Sequence, residues 1–216
     1  MPTPAAFLLD LDGTLLDTEP LHFLAHRRFL GSQGIEPTQD DLVGNIGKGD
    51  VEFYSELMRR HGKQGDPVAW VAGKTDTLIG IYREQGVRIN PGGSELLARA
   101  FAEGIACVVV TSSERALARA ALEAAGLAGR LQMRVCREDT VRHKPHPEPY
   151  LLACVRLGIP PQRCQAVEDS PSGVAAARTA GCPVVAMSGH VADELLMRAG
   201  AQRIIARLDE LLPAGD

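Results

Sequence analysis

Short apolar runs separated by helix-like segments are the main pattern of the chain. The runs are rich in Val, Ile, Leu and Cys and alternate little with polar residues, which is typical of strands covered on both faces. Five such runs span 5–11, 105–110, 131–136, 164–167 and 183–187. Helical patterns separate the last four runs, at 114–125, 147–157 and 172–180. Strands that alternate with helices predict an α/β fold with a parallel sheet and right-handed crossovers.

The segment from 17 to 88 breaks this alternation. It contains no convincing strand, and its apolar spacing predicts helices at 20–32, 39–44, 51–61 and 67–85. A helical segment placed after the first strand predicts a small second domain. We expect this domain to span 17–88 and the core to comprise 1–16 and 89–216. The tail at 204–212 indicates a further edge strand and helix.

Composition and charge limit the possible partners. The net charge is −4 and aromatic residues make up 4% of the chain, so neither a basic surface nor stacking rings for nucleic acid are expected. No apolar stretch approaches the ~18 residues of a membrane span, and no secretory signal is evident. The five cysteines include no C-x-x-C pair, which argues against a zinc ribbon and against a disulfide framework. We expect a cytoplasmic monomer that binds neither nucleic acid nor membrane.

Two acidic residues end the first apolar run. Asp10 and Asp12 are two positions apart, so in a strand their side chains share a face and lie roughly 7 Å apart. Carboxylates this close at the end of a buried strand repel each other, and burial disfavours their charge. A cation or strong hydrogen-bond donors must therefore compensate them. A solvated strand end is the alternative, but it is typical of single Asp residues rather than of FLLDLDGTLLD.

A second acidic pair occupies an equivalent position. Glu168 and Asp169 follow the fourth run and precede a helix. If this strand neighbours the first, Asp10, Asp12 and Asp169 converge on one hollow lined by oxygen atoms, beyond the carboxyl ends of the strands. Mg²⁺ prefers such carboxylates together with water and phosphate. Helix capping by Asp169 and Ser170 is the alternative, but it does not explain two consecutive acids.

Two further strand ends carry groups that can bind phosphate. Thr111, Ser112 and Ser113 follow the second run at a helix N-terminus, where free N–H groups and hydroxyls favour an anion. Taken alone this is a capping cluster, with Ser113 as the expected N-cap residue. Lys144 precedes Pro145, which biases it away from helix. A lone loop lysine is usually a solvated charge, but at a strand end it can neutralise a phosphoryl group and a nearby Asp.

These four elements in this order resemble the motifs of the haloacid dehalogenase superfamily of phosphohydrolases. The matching residues are the D-x-D-G-T at 10–14, Thr111, Lys144 and the pair Glu168–Asp169. The resemblance covers essentially the whole chain. It implies a Rossmann-like core with the strand order 5-4-1-2-3, and it likens the insert at 17–88 to the family's helical cap domain.

The resemblance also implies a mechanism. Asp10 would attack phosphorus and form an aspartyl-phosphate, while Asp12 would protonate the leaving oxygen and then activate water. The Asp10 side chain, the Asp12 carbonyl oxygen and Asp169 would hold Mg²⁺, with Glu168 in support. The residues that would bind the transferring phosphoryl group are Thr111, Ser112 and Lys144.

The D-T-E-P-L-H segment at 17–22 resembles the entry to the cap of the beta-phosphoglucomutase-like subgroup. There His22 would approach the leaving group. Lys48 and Lys74 fall where that subgroup keeps basic residues that face the substrate. The alternatives are a packed or surface role for His22 and solvated helix positions for the two lysines.

The leading functional prediction is a Mg²⁺-dependent phosphatase for small phosphorylated metabolites such as sugar or polyol phosphates. The alternative is a phosphosugar mutase: mutases of the subgroup tend to carry Val where this chain has Thr14, which favours hydrolysis, whereas the basic cap residues favour transfer. A phosphonate-cleaving enzyme would lack Asp12, and a complete Mg²⁺ set disfavours a dehalogenase. A catalytically idle phosphate sensor would be expected to have lost one of the carboxylates.

Overall fold

The protein is described by a computed structural model that covers residues 3–38, 41, 49–131 and 133–212. The chain divides into two units. The core unit comprises Met1–Asp17 and Val87–Asp216, and the helical unit comprises Thr18–Gly86. The role of the segment 17–88 as a cap stays a prediction. Among the described helices, none is both long and apolar enough to cross a lipid bilayer.

The described residues form eight strands and eight α-helices. The strands are β1 (Ala6–Leu9), β2 (Leu16–Asp17), β3 (Arg88–Ile89), β4 (Ala106–Val110), β5 (Arg134–Val135), β6 (Cys164–Glu168), β7 (Val184–Met187) and β8 (Arg203–Ile205). The helices are α1 (Glu19–Ser32), α2 (Asp50–Arg60), α3 (Pro67–Gln85), α4 (Gly93–Ala102), α5 (Arg115–Ala124), α6 (Glu148–Leu157), α7 (Pro171–Thr179) and α8 (Asp193–Ala199). Short 3₁₀ turns lie at Arg137–Asp139, Pro161–Arg163 and Leu208–Leu211.

The core unit is built on a parallel sheet of six strands in the order β5-β4-β1-β6-β7-β8. The central strand β1 pairs with β4 on one side and β6 on the other, so that Leu8 lies opposite both Val108 and Ala166. If the five predicted runs are numbered along the chain, they lie in the order 3-2-1-4-5. Read from the opposite side of the sheet this is 5-4-1-2-3, which confirms the expected order. The sixth strand, β8, adds an edge in the tail region.

The central strands lack polar alternation because both of their faces are covered. All four residues of β1 and all five residues of β6 are buried. Side chains of successive strand residues point to opposite faces, so a strand with helices on each side of the sheet buries every position. The acidic residues therefore occur only where these strands end.

Some elements differ from the sequence-based expectations. Strands β2 and β3 pair in antiparallel fashion, but each has two residues, too few to show an alternating pattern. Helix α4 was not predicted, because Pro91, Gly92 and Gly93 at its start are typical of a turn. Gly92 is the N-cap residue of α4. Glycine is needed there because φ is +79° and a Cβ would lie 2.2 Å from Asp209 Oδ1. The predicted helix at 39–44 lies outside the described residues except for Asp41.

The helical unit packs around a cluster of aromatic rings. The rings of Phe29 and Trp70 meet edge to face with centroids 5.7 Å apart. Buried among them, His26 shares a hydrogen bond with the Tyr54 hydroxyl through Nδ1, at 2.8 Å. Burial, with a further contribution from the charge of Lys74, lowers the pKa of His26 from 6.5 to about 3. The imidazole is therefore neutral in the folded unit at physiological pH.

We expect the helical unit to lose stability as the pH falls below 6.5. Between pH 6.5 and about 3 the unfolded chain binds a proton at His26 that the folded chain does not. The free energy of unfolding therefore falls by up to about 1.4 kcal/mol per pH unit for this one proton. Trp70 is the only tryptophan, so denaturant titrations that follow its fluorescence report on this unit.

The variant His26→Gln keeps a hydrogen-bonding side chain but does not titrate, so its pH dependence is expected to be shallower than that of the wild type. The matched control is His61→Gln, at an exposed position of the same unit, which is expected to keep the wild-type slope. Identical slopes for His26→Gln and the wild type would contradict this assignment.

Candidate active site

The carboxyl ends of β1, β4 and β6 meet at one edge of the sheet, because these strands are parallel neighbours. Asp10 follows β1, Thr111 follows β4, and Glu168 is the last residue of β6 with Asp169 directly after it. Ligands of open α/β sheets bind beyond such an edge. The fold thus places the acidic and hydroxyl residues singled out in the sequence in one region.

Three buried carboxylates form the centre of this region. One carboxylate oxygen from each of Asp10, Glu168 and Asp169 lies within 4.8 Å of the other two. Asp12 is half-buried, and its Oδ2 accepts a hydrogen bond from Ser113 Oγ at 2.6 Å. Within the described residues the group of potential metal ligands does not include the Asp12 side chain. The contribution of the Asp12 carbonyl oxygen to a metal site stays a prediction.

Lys144 compensates part of this negative charge. Its Nζ donates to Asp10 Oδ1 at 2.5 Å, to Glu168 Oε1 at 2.5 Å and to the carbonyl oxygen of Val110 at 2.8 Å. The side chain is only 4% exposed, so it is not a solvated loop lysine. An ammonium has three donors, and each of them has an acceptor here. Lys144 must therefore exchange one acceptor before it can donate to a phosphoryl oxygen.

Burial and mutual charge shift the pKa values of this pair. Burial is the largest cause that raises the pKa of Asp10 well above its ordinary value; Lys144 opposes the shift, and the neighbouring carboxylates add to it. Burial lowers the pKa of Lys144, but the charges of Asp10 and Glu168 outweigh this effect and raise it above its ordinary value. The ammonium therefore stays charged at neutral pH in a region with surplus negative charge.

The donor set fits a small divalent cation. The buried Lys144 ammonium contacts Asp10 and Glu168 but stands against three carboxyl groups. Burial of unbalanced like charges is unfavourable unless a cation neutralises them. Carboxylate oxygens are the protein ligands that Mg²⁺ prefers. The turn after β1 also leaves room for Asp169: a Cβ on Gly13 would lie 2.0 Å from its Oδ2. Asp10, Glu168 and Asp169 are therefore the side chains that could hold Mg²⁺.

Glu168 is held by two hydroxyl groups whose contact with it the sequence analysis did not predict. The Tyr150 hydroxyl donates to Glu168 Oε1 at 2.5 Å, and Ser170 Oγ donates to Oε2 at 3.2 Å. Ser170 also accepts a hydrogen bond from the Gly173 N–H, so it caps α7, which was the alternative role considered for this segment. Tyr150 carried no signal in the sequence, because a buried tyrosine on a helix is usually a core residue. Only its position shortly after Lys144 could have indicated a role at the site.

The hydroxyl cluster after β4 differs from the expectation in one respect. Ser113 was expected to cap the following helix, and this is wrong: α5 begins at Arg115, and Glu114 occupies its N-cap position. Ser113 instead donates its hydroxyl to Asp12. Thr111 Oγ1 accepts a hydrogen bond from the Ser113 N–H at 2.9 Å, and the binding of phosphate by the Thr111 hydroxyl stays a prediction. Ser112 is exposed.

His190 is a further residue near the site that no sequence pattern indicated. It lies in the loop after β7, the neighbour of β6, so this loop leaves the same edge of the sheet. Its Cδ2 lies 3.3 Å from the position that a Cβ would take on Gly13. A lone histidine in a loop carries no pattern, which explains why it was missed.

His22 and Lys74 lie together in the helical unit. Lys74 Nζ is 3.2 Å from His22 Nδ1 and 3.1 Å from Asp50 Oδ2. Lys74 is buried, so it is not a solvated helix lysine. Lys48 lies outside the described residues. Contact of these three residues with a substrate stays a prediction.

Comparisons with known proteins support the inferred relationship. A family model described as haloacid dehalogenase-like hydrolase matches residues 4–181. Hexitol phosphatase A of Escherichia coli (strain K12) is 35% identical over 184 residues, 84% of this chain and 82% of that protein. Fructose-1-phosphate phosphatase YqaB of the same organism is 29% identical over 181 residues, 84% of this chain and 95% of that protein. A candidate beta-phosphoglucomutase of Thermotoga maritima has a similar structure, with a TM-score of 0.83, 30% identity and coverage of 96% of both chains.

The parallel α/β core with paired acids at its strand ends has a Rossmann-like fold, and the matching family model places the chain among the hydrolases. The chain belongs to the haloacid dehalogenase-like hydrolase family. Within this family it is an enzyme of the phosphatase class, which confirms the predicted family, fold and type of enzyme.

We expect Gly173→Ala to destabilise the core unit. A Cβ at this position would lie 2.0 Å from the Glu168 carboxylate, which cannot move without losing its bonds to Lys144 and Tyr150. Overpacking of this kind costs about 1–3 kcal/mol, which outweighs the higher helix propensity of alanine. Urea unfolding followed by circular dichroism measures the loss.

Gly129→Ala is the matched control, because a Cβ there meets no atom within 4 Å. Its free energy of unfolding is expected to stay within about 0.5 kcal/mol of the wild type. Equal stabilities for the two variants would show that Gly173 is not needed to make room for Glu168.

Proposed function

We propose that the chain is a Mg²⁺-dependent phosphatase that hydrolyses small sugar or polyol phosphates through an aspartyl-phosphate. The observation that carries this proposal is the buried contact of Lys144 with Asp10 and Glu168 beside Asp169. The names of two relatives, a hexitol phosphatase and a fructose-1-phosphate phosphatase, support the substrate class.

Asp10 is the proposed nucleophile. Lys144 binds its Oδ1 and so restrains the orientation of the carboxylate. In the first step an Asp10 oxygen forms a bond to phosphorus while the bond from phosphorus to the ester oxygen breaks. A nucleophile fixed in this way loses little freedom on the path to the transition state, which lowers the barrier.

Asp12 is the proposed general acid and base. In the first step its proton passes to the departing ester oxygen, so that the product leaves as an alcohol. Asp12 then accepts a proton from a water molecule whose oxygen bonds to phosphorus. The bond between phosphorus and Asp10 breaks, which releases inorganic phosphate and restores the Asp10 carboxylate. After both steps the two side chains have returned to their starting states.

The remaining residues stabilise the charge on the transferring group. Thr111 and Ser112 offer hydroxyl protons, and Lys144 offers an ammonium once it exchanges one of its three acceptors. Mg²⁺, held by Asp10, Glu168 and Asp169, with the Asp12 carbonyl oxygen as a further ligand, would withdraw negative charge from the phosphoryl oxygens.

The helical unit is proposed to set selectivity among phosphorylated substrates. Its buried Lys74 ammonium, bonded to His22 and Asp50, is a preorganised polar group of this unit. Such groups select substrates by the hydroxyls and charges that they can bind.

A phosphosugar mutase is the second candidate, supported by the structural similarity to the candidate beta-phosphoglucomutase. In a mutase a sugar hydroxyl, and not water, accepts the phosphoryl group from Asp10. Thr14 favours hydrolysis, and its hydroxyl donates to Asp169 Oδ1 at 3.2 Å, an interaction that the Val typical of the mutases would not make.

Product analysis distinguishes the two candidates. With Mg²⁺ and a panel of hexitol phosphates, fructose 1-phosphate and glucose 1-phosphate, we expect one inorganic phosphate for each ester consumed. A phosphatase forms no glucose 6-phosphate from glucose 1-phosphate. Glucose 6-phosphate as the main product would instead assign the chain as a mutase, and activity that survives excess EDTA would contradict the metal requirement.

We expect Asp10→Asn to abolish turnover. The amide is close in size to the carboxylate but cannot form the covalent intermediate, so kcat is expected to fall by at least about 10⁴-fold. Release of inorganic phosphate from the best substrate of the panel measures the loss, and the thermal unfolding temperature verifies that the variant is folded. Near-wild-type activity in a folded Asp10→Asn protein would rule out Asp10 as the nucleophile.

A further inference from the structure

The hydrogen bond between Ser113 and Asp12 joins two strand ends that are far apart in the sequence. Asp12 lies in the turn after β1, and Ser113 lies in the loop after β4, 101 positions later. Ser113 Oγ donates to Asp12 Oδ2 at 2.6 Å. This distance is typical of a hydroxyl that donates to an ionised carboxylate, which is among the stronger hydrogen bonds in proteins.

The backbone of Ser113 is fixed on both sides. Its N–H donates to Thr111 Oγ1 at 2.9 Å, and its carbonyl oxygen accepts from the Arg137 N–H at 3.1 Å. The side chain is not used to cap α5. Its hydroxyl therefore points from a fixed loop toward Asp12. In the described part of the chain, the hydrogen bond to Asp12 is the polar contact of the Ser113 side chain.

We infer that Ser113 is a positioning residue for Asp12, an inference that rests on the proposed function of Asp12 as general acid and base. The Ser113 hydroxyl holds Oδ2 and so restrains the orientation of the carboxyl group that exchanges protons. When Asp12 gives its proton to the leaving oxygen and later accepts one from water, Ser113 keeps its own proton. Its hydroxyl donates to Oδ2 before and after each transfer, and it donates more strongly once Asp12 is ionised, so the bond favours release of the Asp12 proton to the leaving oxygen.

This role predicts an effect that depends on the leaving group. An alkoxide is a poor leaving group and needs a proton from Asp12, whereas p-nitrophenolate leaves with little assistance. The ratio kcat/KM covers the steps up to the departure of the alcohol. Loss of the Ser113 hydroxyl should therefore lower kcat/KM more for an alkyl phosphate than for p-nitrophenyl phosphate.

The test compares Ser113→Ala, Ser113→Thr and Ser94→Ala with the wild-type protein in the presence of Mg²⁺. For Ser113→Ala we expect the ratio of kcat/KM for an alkyl phosphate to that for p-nitrophenyl phosphate to fall about 10-fold, the effect of one hydrogen bond that orients the acid. Ser113→Thr keeps the hydroxyl and is expected to restore most of the ratio. Ser94 is exposed in the first turn of α4, so Ser94→Ala is expected to keep the wild-type ratio.

The unfolding temperature of each variant is measured in parallel, and Ser113→Cys, which keeps the size but is a weak donor, replaces Ser113→Ala if that variant does not fold. An unchanged ratio, or an equal loss for both esters, would overturn the positioning role.

Asp12→Asn tests the proposed function separately. If Asp12→Asn hydrolyses the alkyl phosphate like the wild type, Asp12 is not the general acid, and the positioning role of Ser113 is wrong as well. If Asp12→Asn loses this activity but the Ser113 variants keep the wild-type ratio of kcat/KM values, the positioning role is wrong and the proposed function stands.

Discussion

Crowding of buried negative charge is the constraint on which the candidate site depends. Asp10, Glu168 and Asp169 bring carboxylate oxygens within 4.8 Å of one another, and in a medium of low polarity such charges repel strongly. The Lys144 ammonium and the hydroxyls of Thr14, Tyr150 and Ser170 offset only part of this repulsion. The cluster could therefore hold a divalent cation, and a cation at this place would in turn attract a phosphate group.

The fold meets this constraint through strand order and through two glycines. Because β1 lies between β4 and β6, residues that are distant in the sequence leave the same edge of the sheet. Gly13 leaves space for the Asp169 carboxylate and Gly173 leaves space for that of Glu168, since a Cβ at either position would lie 2.0 Å from the acid. Close packing then keeps each carboxylate in one orientation, which a reaction at a fixed geometry requires.

The sequence allowed much of the fold to be predicted, because buried parallel strands leave a continuous apolar run and strand ends expose their acids. The strand order came from the family resemblance, since the runs themselves do not show which of them are neighbours. Strands of two residues, such as β2 and β3, are too short to give a pattern. Helix α4 was hidden by the glycines and the proline at its start.

Site contacts were less predictable than site residues. Asp10, Glu168 and Asp169 could be named from their positions after apolar runs, and the structure brings them together. The three acceptors of Lys144, the bond from Tyr150 to Glu168 and the bond from Ser113 to Asp12 depend on side-chain directions in three dimensions. Ser113 was misassigned as a cap because local sequence favours capping wherever a hydroxyl precedes a helix, whereas the tertiary partner Asp12 decides its direction.

Chemical trapping of the intermediate tests the central claim most directly. Protein quenched with acid during turnover of a phosphate ester is treated with borohydride, which reduces an aspartyl-phosphate to homoserine, and the peptides are sequenced by mass spectrometry. The account predicts homoserine at position 10, in an amount that depends on substrate and Mg²⁺ and that is absent from Asp10→Asn. Homoserine at the position of another aspartate would contradict the account. So would turnover without any homoserine if a different residue of the protein carries the phosphoryl group.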